Sequence, residues 1–318
     1  MILVYIYFLI SFILSIALNI LFIPIFKTIK VRQAVRVLGP REHYKKNGTP
    51  TMGGIVIIIA SLFSYLLSIL LNQKINYEVF MLVFPFVFYG FIGFIDDYLK
   101  VVKQNNDGIS VKTKLILQFV FSVLFVVIFY NYLDPVINIF VYHINLGFFY
   151  YVFIILLFVS CTNAANISDG LDGLAGGEVL IVLSSVLYIC KESYVSLFII
   201  ALLGAVIGFL CFNLNPAKIF MGDVGSLSIG ACICSVFIAL KIEILLIVFC
   251  LPMVIEVLSV IIQVTYFKLT KGKRLFKMAP LHHHLELSGL TEMEVTLIFW
   301  GLTLIFSLFG ILLYIYLF

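Results

Sequence analysis

Three stretches of the 318-residue sequence place carboxylates beside amide-bearing or small residues. The first, Gly93-Phe94-Ile95-Asp96-Asp97-Tyr98-Leu99-Lys100, carries adjacent aspartates at the close of an apolar stretch. Neighbours on a helix point about 100° apart, so the pair cannot ligate one atom in the same way. Both can still border one cleft, one at a reacting group and the other orienting a cation. Paired with Lys100 or Lys103 they would instead be an ordinary helix end meeting water. The second stretch, from Asn163 to Gly177, is more specific. Asp169 and Asp172, at i and i+3, would share a face if helical, and the glycines between Gly170 and Gly177 let backbone approach a ligand. Helix packing accounts for Gly173, Gly176 and Gly177, but not for the two aspartates or for Asn163 and Asn166. In the third, Asn213 to Ser226, Pro216 ends one apolar stretch and Gly222-Asp223 opens the next. Amides at that helix start could receive a phosphate. Asp223 either caps the helix or meets a cation, for which oxygen ligands favour Mg2+.

Two further loops supply donors. Lys45-Lys46-Asn47-Gly48-Thr49-Pro50-Thr51-Met52-Gly53-Gly54 joins basic and hydroxyl groups to a tight turn, and Ala279-Pro280-Leu281-His282-His283-His284-Leu285-Glu286 adds three imidazoles. Neighbouring histidines rarely complete a zinc site alone, no cysteine lies nearby and the H-E-x-x-H pattern is absent. Contact with phosphate is the better reading.

These loops hang on an apolar body. The chain is 63% hydrophobic and 11% charged, against roughly 25% charged for a soluble globular chain. That excludes a soluble fold and disorder, and the six cysteines show no ligand spacing and read as packing residues. A net charge of +4, spread over separate loops, gives no footprint for nucleic acid. Apolar stretches at 2–26, 54–71, 79–95, 115–133, 147–162, 174–190, 195–212, 224–240, 243–267 and 295–318 predict ten transmembrane helices. The first lacks a basic start and a small-residue cleavage site, so it reads as a retained span. With no internal repeat, residues 1–318 read as a single all-α polytopic domain.

Basic residues orient it. If odd-numbered helices run inward, one side holds 17 of the 20 Lys and Arg, leaving Lys74, Lys191 and Lys241 on the other. That side should face the cytoplasm, with both termini extracytoplasmic. Asp96, Asp97, Asp107, Asp169, Asp172 and Asp223 fall on the same face, and only Asp134 lies opposite. Ionised groups beside hydrocarbon persist where they meet a wet cavity, a metal or a partner.

Taken in order, Gly48-Thr49-Pro50-Thr51-Met52-Gly53-Gly54, Asp96-Asp97, Asn166-Ile167-Ser168-Asp169-Gly170-Leu171-Asp172-Gly173, Phe220-Met221-Gly222-Asp223 and the His282-His283-His284 loop resemble the polyprenyl-phosphate N-acetylhexosamine-1-phosphate transferases. Pro280-Leu281-His282-His283-His284-Leu285-Glu286 is similar to their muramoyl-pentapeptide branch; the N-acetylglucosamine branch usually shows His-x-His-His. Ser168 stands where a threonine is common and keeps the hydroxyl. The resemblance spans the whole chain and implies a ten-helix, Mg2+-dependent, commonly homodimeric enzyme of the bacterial cytoplasmic membrane. It would transfer phospho-N-acetylmuramoyl-pentapeptide from UDP-N-acetylmuramoyl-pentapeptide to undecaprenyl phosphate, giving lipid I and UMP.

Carried over residue by residue, the resemblance makes Asp96, Asp97 and Asp223 the catalytic or metal-associated carboxylates, with Asp223 holding Mg2+. Lys46, Asn166, Asp169, Gly170, Asp172, Asn213, Phe220, Gly222 and Gln263 would line the nucleotide pocket. Thr51 and His284 join the substrate contacts, and His282 and His283 would meet phosphates or sugar. Lys112 or Lys114 would hold a phosphate. No Ser/His or Cys/His nucleophile pair is visible, which favours direct attack by the lipid phosphate. Two rivals remain: a sister transferase using UDP-N-acetylglucosamine, and a secondary transporter with Glu256 as its intramembrane carboxylate.

Overall fold

A computed structural model describes residues 2–29, 31, 46, 48–72, 76–103, 108–139, 142–191 and 193–317. Asp107, Lys45, Asn47, Lys74 and the basic residues between 32 and 45 lie outside them. The chain forms α1 (Ile2–Thr28), α2 (Gly54–Leu71), α3 (Tyr77–Lys103) and α4 (Val111–Phe129), then strands β1 (Val136–Ile139) and β2 (Tyr142–Asn145). There follow α5 (Phe148–Ser168), α6 (Leu174–Ile189), α7 (Ser193–Asn213), α8 (Gly222–Ala239), α9 (Leu245–Phe249), α10 (Leu251–Leu269), α11 (Leu281–Glu286) and α12 (Glu292–Leu317).

Each of the ten predicted apolar stretches is helical over most of its described residues. Among the described residues nine helices are long and apolar enough to cross a membrane, and α6, at 16 residues, is shorter. Three differences matter. The third stretch does not end at Asp96-Asp97 but continues to Lys103, placing both aspartates inside a helix. The stretch 243–267 is split at Cys250 into α9 and α10. Pro252 explains the split, because it has no N–H to bond back into the preceding turn. Between α4 and α5 the all-helical plan is interrupted by an antiparallel hairpin pairing Val136 with Asn145 and Ile139 with Tyr142.

Burial sorts the helices. Of the membrane-length windows, 89% of α8 and 78% of α7 are buried, against 22% of α1 and of α10. The outer helices keep apolar side chains turned outward, including Ile13, Phe119, Ile261 and Ile305, as a hydrocarbon solvent permits. With no hydrophobic drive between helices in lipid, close approach comes from small residues and hydroxyls. Ser11 and Ser15 of α1 donate to the carbonyls of Ala201 (2.6 Å) and Ala205 (2.8 Å) on α7. A Cβ on Gly93 would collide with the Asp223 carbonyl, and one on Gly54 with the Gly225 backbone. These contacts press α3 and α2 onto the start of α8, where the chemistry-bearing residues sit.

Candidate active site

Asp96 and Asp97 are buried on α3, and Asp223 lies in the first turn of α8. One carboxylate oxygen from each falls within 4.8 Å of the others. The α3–α8 approach at Gly93 creates that convergence, since only backbone lies between the helices there. Asp97 Oδ2 accepts the Val224 amide at 3.1 Å, so this helix-start amide, expected to be open to phosphate, is occupied. Asp96 Oδ1 accepts the Ile109 amide at 2.7 Å, which ties α3 to the start of α4.

Asp223 does not cap its helix. Asn166 Nδ2 donates to its Oδ1 at 2.7 Å, while Lys100 (2.8 Å) and Lys114 (2.6 Å) reach its Oδ2. Lys100 also lies 2.6 Å from Asp96 and 3.6 Å from Asp97, and Lys114 lies 3.3 Å from Asp96. The helix-end reading of Asp96-Asp97 was therefore partly right, because Lys100 pairs with both, yet the same ammonium bridges to another helix. Gly222 has φ +73°, and a side chain there would strike Asp97 Oδ2 and come within 2.8 Å of Thr51 Oγ1. The position requires glycine on both counts.

Asp96 and Asp223 border a cleft of about 620 Å³ that also includes Lys46, Lys114, Asn166, Gly170, Phe220 and His283; Asp97, expected to border it too, lies buried outside the lining because it is turned onto the start of α8. Asp169 and Asp172 do not share a helix face, because α5 ends at Ser168 and they stand in the turn before α6. Burial first, then the carboxylates of Asp223, Asp97 and Asp172, push the Asp169 carboxyl well above its usual range. Asp172 turns the other way: its Oδ1 takes Lys46 at 2.7 Å, and its Oδ2 accepts Asn215 Nδ2 (3.2 Å) and the Ala217 amide (3.0 Å).

Glu292, at the start of α12, closes this second polar knot. It pairs with Lys46 and accepts the Asp172 amide (2.7 Å) and Asn215 Nδ2 (2.9 Å). Lys46 Nζ also stands 6.0 Å from the Phe220 ring centroid. Asn213 lines the cleft while bridging two loops, accepting the Gly173 amide (3.1 Å) and donating to the Ile219 carbonyl (2.9 Å).

Other expected contacts stand elsewhere. Thr51 is buried behind Gly222, outside the cleft lining. Gln263 fastens the loop after α10 by accepting the Leu275 (3.1 Å) and Phe276 (2.9 Å) amides. His284 Nδ1 accepts the Lys277 amide at 3.1 Å, apart from the cleft. Lys112 is exposed, whereas Lys114, two residues on and so on nearly the opposite face of α4, is the lysine that reaches the carboxylates. His283 Nδ1 lies 2.8 Å from Glu286 and His282 Nδ1 lies 3.2 Å from Glu256.

Comparison with known proteins gives this geometry a lineage. The glycosyl transferase family 4 pattern matches residues 79–241, which hold Asp96, Asp169, Asp172 and Asp223. Signature 1 of the phospho-N-acetylmuramoyl-pentapeptide-transferases matches residues 46–58, from Lys46 through the turn that supports Gly222. Proteins bearing the name phospho-N-acetylmuramoyl-pentapeptide-transferase in Bacillus thuringiensis (strain Al Hakam), Bacillus mycoides (strain KBAB4) and Bacillus cereus (strain AH187) are each 43% identical over 311 residues, 95% of both chains. The chain belongs to the phospho-N-acetylmuramoyl-pentapeptide transferase family.

Two residues that tie the site together, Lys100 in the cleft lining and Glu292 behind Lys46, escaped the sequence reading. Lys100 was visible only as a partner for Asp96 and Asp97, and nothing local points it at Asp223. Glu292 opens the last apolar stretch and reads as an ordinary helix-start acid; its partners are 77 to 246 residues away.

Proposed function

We propose that this transferase moves phospho-N-acetylmuramoyl-pentapeptide from its UDP conjugate to undecaprenyl phosphate, releasing UMP and forming lipid I. The observation that carries the reading is the convergence of Asp96, Asp97 and Asp223 with Lys100 and Lys114 at one end of the helix bundle, in a chain 43% identical over nearly its whole length to proteins of that name. The bacterial cytoplasmic membrane, a cytoplasm-facing cleft and termini on the other side belong to the same reading. They rest on the concentration of basic residues at the cleft end. The homodimer implied by the family resemblance belongs to it too.

The acceptor phosphate and the donor pyrophosphate are both anions, so the site must neutralise charge while holding them in line. Lys114 and Lys100 supply fixed positive charge at the carboxylates, and Lys46 supplies it at the Phe220 side of the cleft. The all-oxygen donor set of Asp96, Asp97 and Asp223 fits Mg2+, with Asp223 as its principal ligand. Bound there, the ion would polarise the donor's phosphoryl oxygens. Asp97 or Asp96 orients the acceptor phosphate or takes its proton. An oxygen of the lipid phosphate attacks the phosphorus next to the sugar, and the bond to the UMP oxygen breaks. An apolar hollow of about 290 Å³ beside α5, α8 and α10, lined by Cys161, Ala165, Gly230, Cys250 and Met253, suits part of a hydrocarbon chain.

The deciding assay offers purified protein undecaprenyl phosphate and Mg2+ with each UDP-sugar separately and measures UMP. Turnover confined to the N-acetylglucosamine donor would overturn the substrate assignment. Isolation of a phosphorylated enzyme in the absence of lipid acceptor would replace direct attack by a two-step path.

A further inference from the structure

Glu256 is the main carboxylate for a transport reading, and the transferase chemistry leaves it without a task. It lies wholly buried on α10. A buried carboxylate is costly unless hydrogen-bonded and paired, and the partners of this one all belong to a single segment. Glu256 Oε2 accepts the Leu281 amide at 2.8 Å, and its Oε1 accepts the His282 amide at 3.1 Å. Oε2 also lies 3.2 Å from His282 Nδ1.

His282 is itself fully buried, and neither ring nitrogen has an aligned hydrogen-bond partner. Buried polar atoms left in that state are rare in folded proteins. The opposite edge of the ring, at Nε2, abuts Gly170 so closely that a Cβ there would collide with it. Gly170 and His282 both line the cleft, as do Asp169, Asp172 and His283. One carboxylate thus holds the His282 backbone amide and stands 3.2 Å from Nδ1, while the Nε2 edge of the ring packs against Gly170 in the cleft wall. A carboxylate behind one imidazole nitrogen sets the ring's orientation and which nitrogen faces the reaction.

We propose that Glu256 is a positioning residue that acts through His282. It anchors the Leu281–His282 backbone, and with it the His282 ring, to α10, so that the imidazole keeps a fixed place in the cleft wall where the donor's phosphate or sugar binds. Glu256 itself touches no substrate. The inference rests on the transferase reading above, and it accounts for an acid buried within a span without ion coupling.

A double-mutant cycle tests it. Donor KM and kcat for UMP release are measured for the full-length enzyme, Glu256→Gln, His282→Ala and the double variant, at saturating Mg2+ and undecaprenyl phosphate, with melting temperature as a check on folding. Glu256→Gln should raise donor KM by about tenfold, and the double variant should fall within about twofold of His282→Ala alone, because nothing remains to be positioned once the imidazole is gone. A purely structural acid would lower the amount of active enzyme and leave donor KM unchanged. Additive losses, or Glu256→Gln kinetics equal to the parent's, would overturn the proposal. If Glu256→Gln does not fold, the cycle is run with Glu256→Asp, which keeps the charge, and the same two outcomes decide. Failure of the transferase reading is seen separately, in the parent enzyme: UMP release only with the N-acetylglucosamine donor moves the cycle to that donor and leaves its logic intact.

Discussion

Asp223 draws nitrogen donors from three other helices, Lys100 of α3, Lys114 of α4 and Asn166 of α5. Replacing it with Asn removes the charge that those donors and a cation would share. Asp223→Asn should lose about a hundredfold or more in kcat with its melting temperature nearly kept; full activity would remove Asp223 from the metal role. The lysines separate cleanly. Lys114→Met should cut kcat/KM severely, while Lys112→Met, at an exposed position, should stay within about twofold. Glu292→Gln leaves Lys46 with Asp172 alone, and loss of one charged hydrogen bond should raise donor KM about tenfold. For Asp169 the sign is set by its raised carboxyl: the folded state favours the protonated form, so its contribution is whole at low pH and is lost as pH rises through the folded value. In chelator-treated protein the melting temperature should therefore fall more with rising pH for the parent than for Asp169→Asn.

At the scale of elements, the site depends on how closely helices can meet. Gly93 lets α3 rest on the Asp223 backbone, and Gly93→Ala should cost about 1–3 kcal/mol by overpacking and move Asp96 and Asp97 off Asp223; thermal melts and the UMP assay read the two effects. The existence and order of the long helices were legible, since each holds a continuous apolar stretch; α11 was not, because the three histidines of Leu281–Glu286 break the apolar pattern and read as a loop. The ends of the long helices were less so. Polar Asp96, Asp97 and Lys100 looked like the end of a span, yet α3 runs on to Lys103 because their polar groups are satisfied within the protein rather than by lipid or water. The break at Cys250 was likewise hidden inside an uninterrupted apolar run, although Pro252 was its signal.

For the whole molecule, apolar composition and the one-sided charge distribution imply opposite faces. A cysteine placed at Ser288, near the cleft end, should react with a membrane-impermeant thiol reagent only after cells are permeabilised. One placed at His143, in the hairpin, should react in intact cells; the reverse pattern would invert the topology. Much of this was determined along the chain alone. Span length, the basic bias, the aspartate-rich loops and the family motifs are local properties of sequence, and they sufficed for a membrane transferase. The tertiary structure decided what no local pattern carries: Lys114 rather than Lys112 against the carboxylates, Lys100 as a bridge, Glu292 on Lys46, Asp169 and Asp172 turned to different partners, and Glu256 behind His282. Side chains separated by as many as 246 residues meet there because small residues let helices approach until a buried charge's nearest partner belongs to another element.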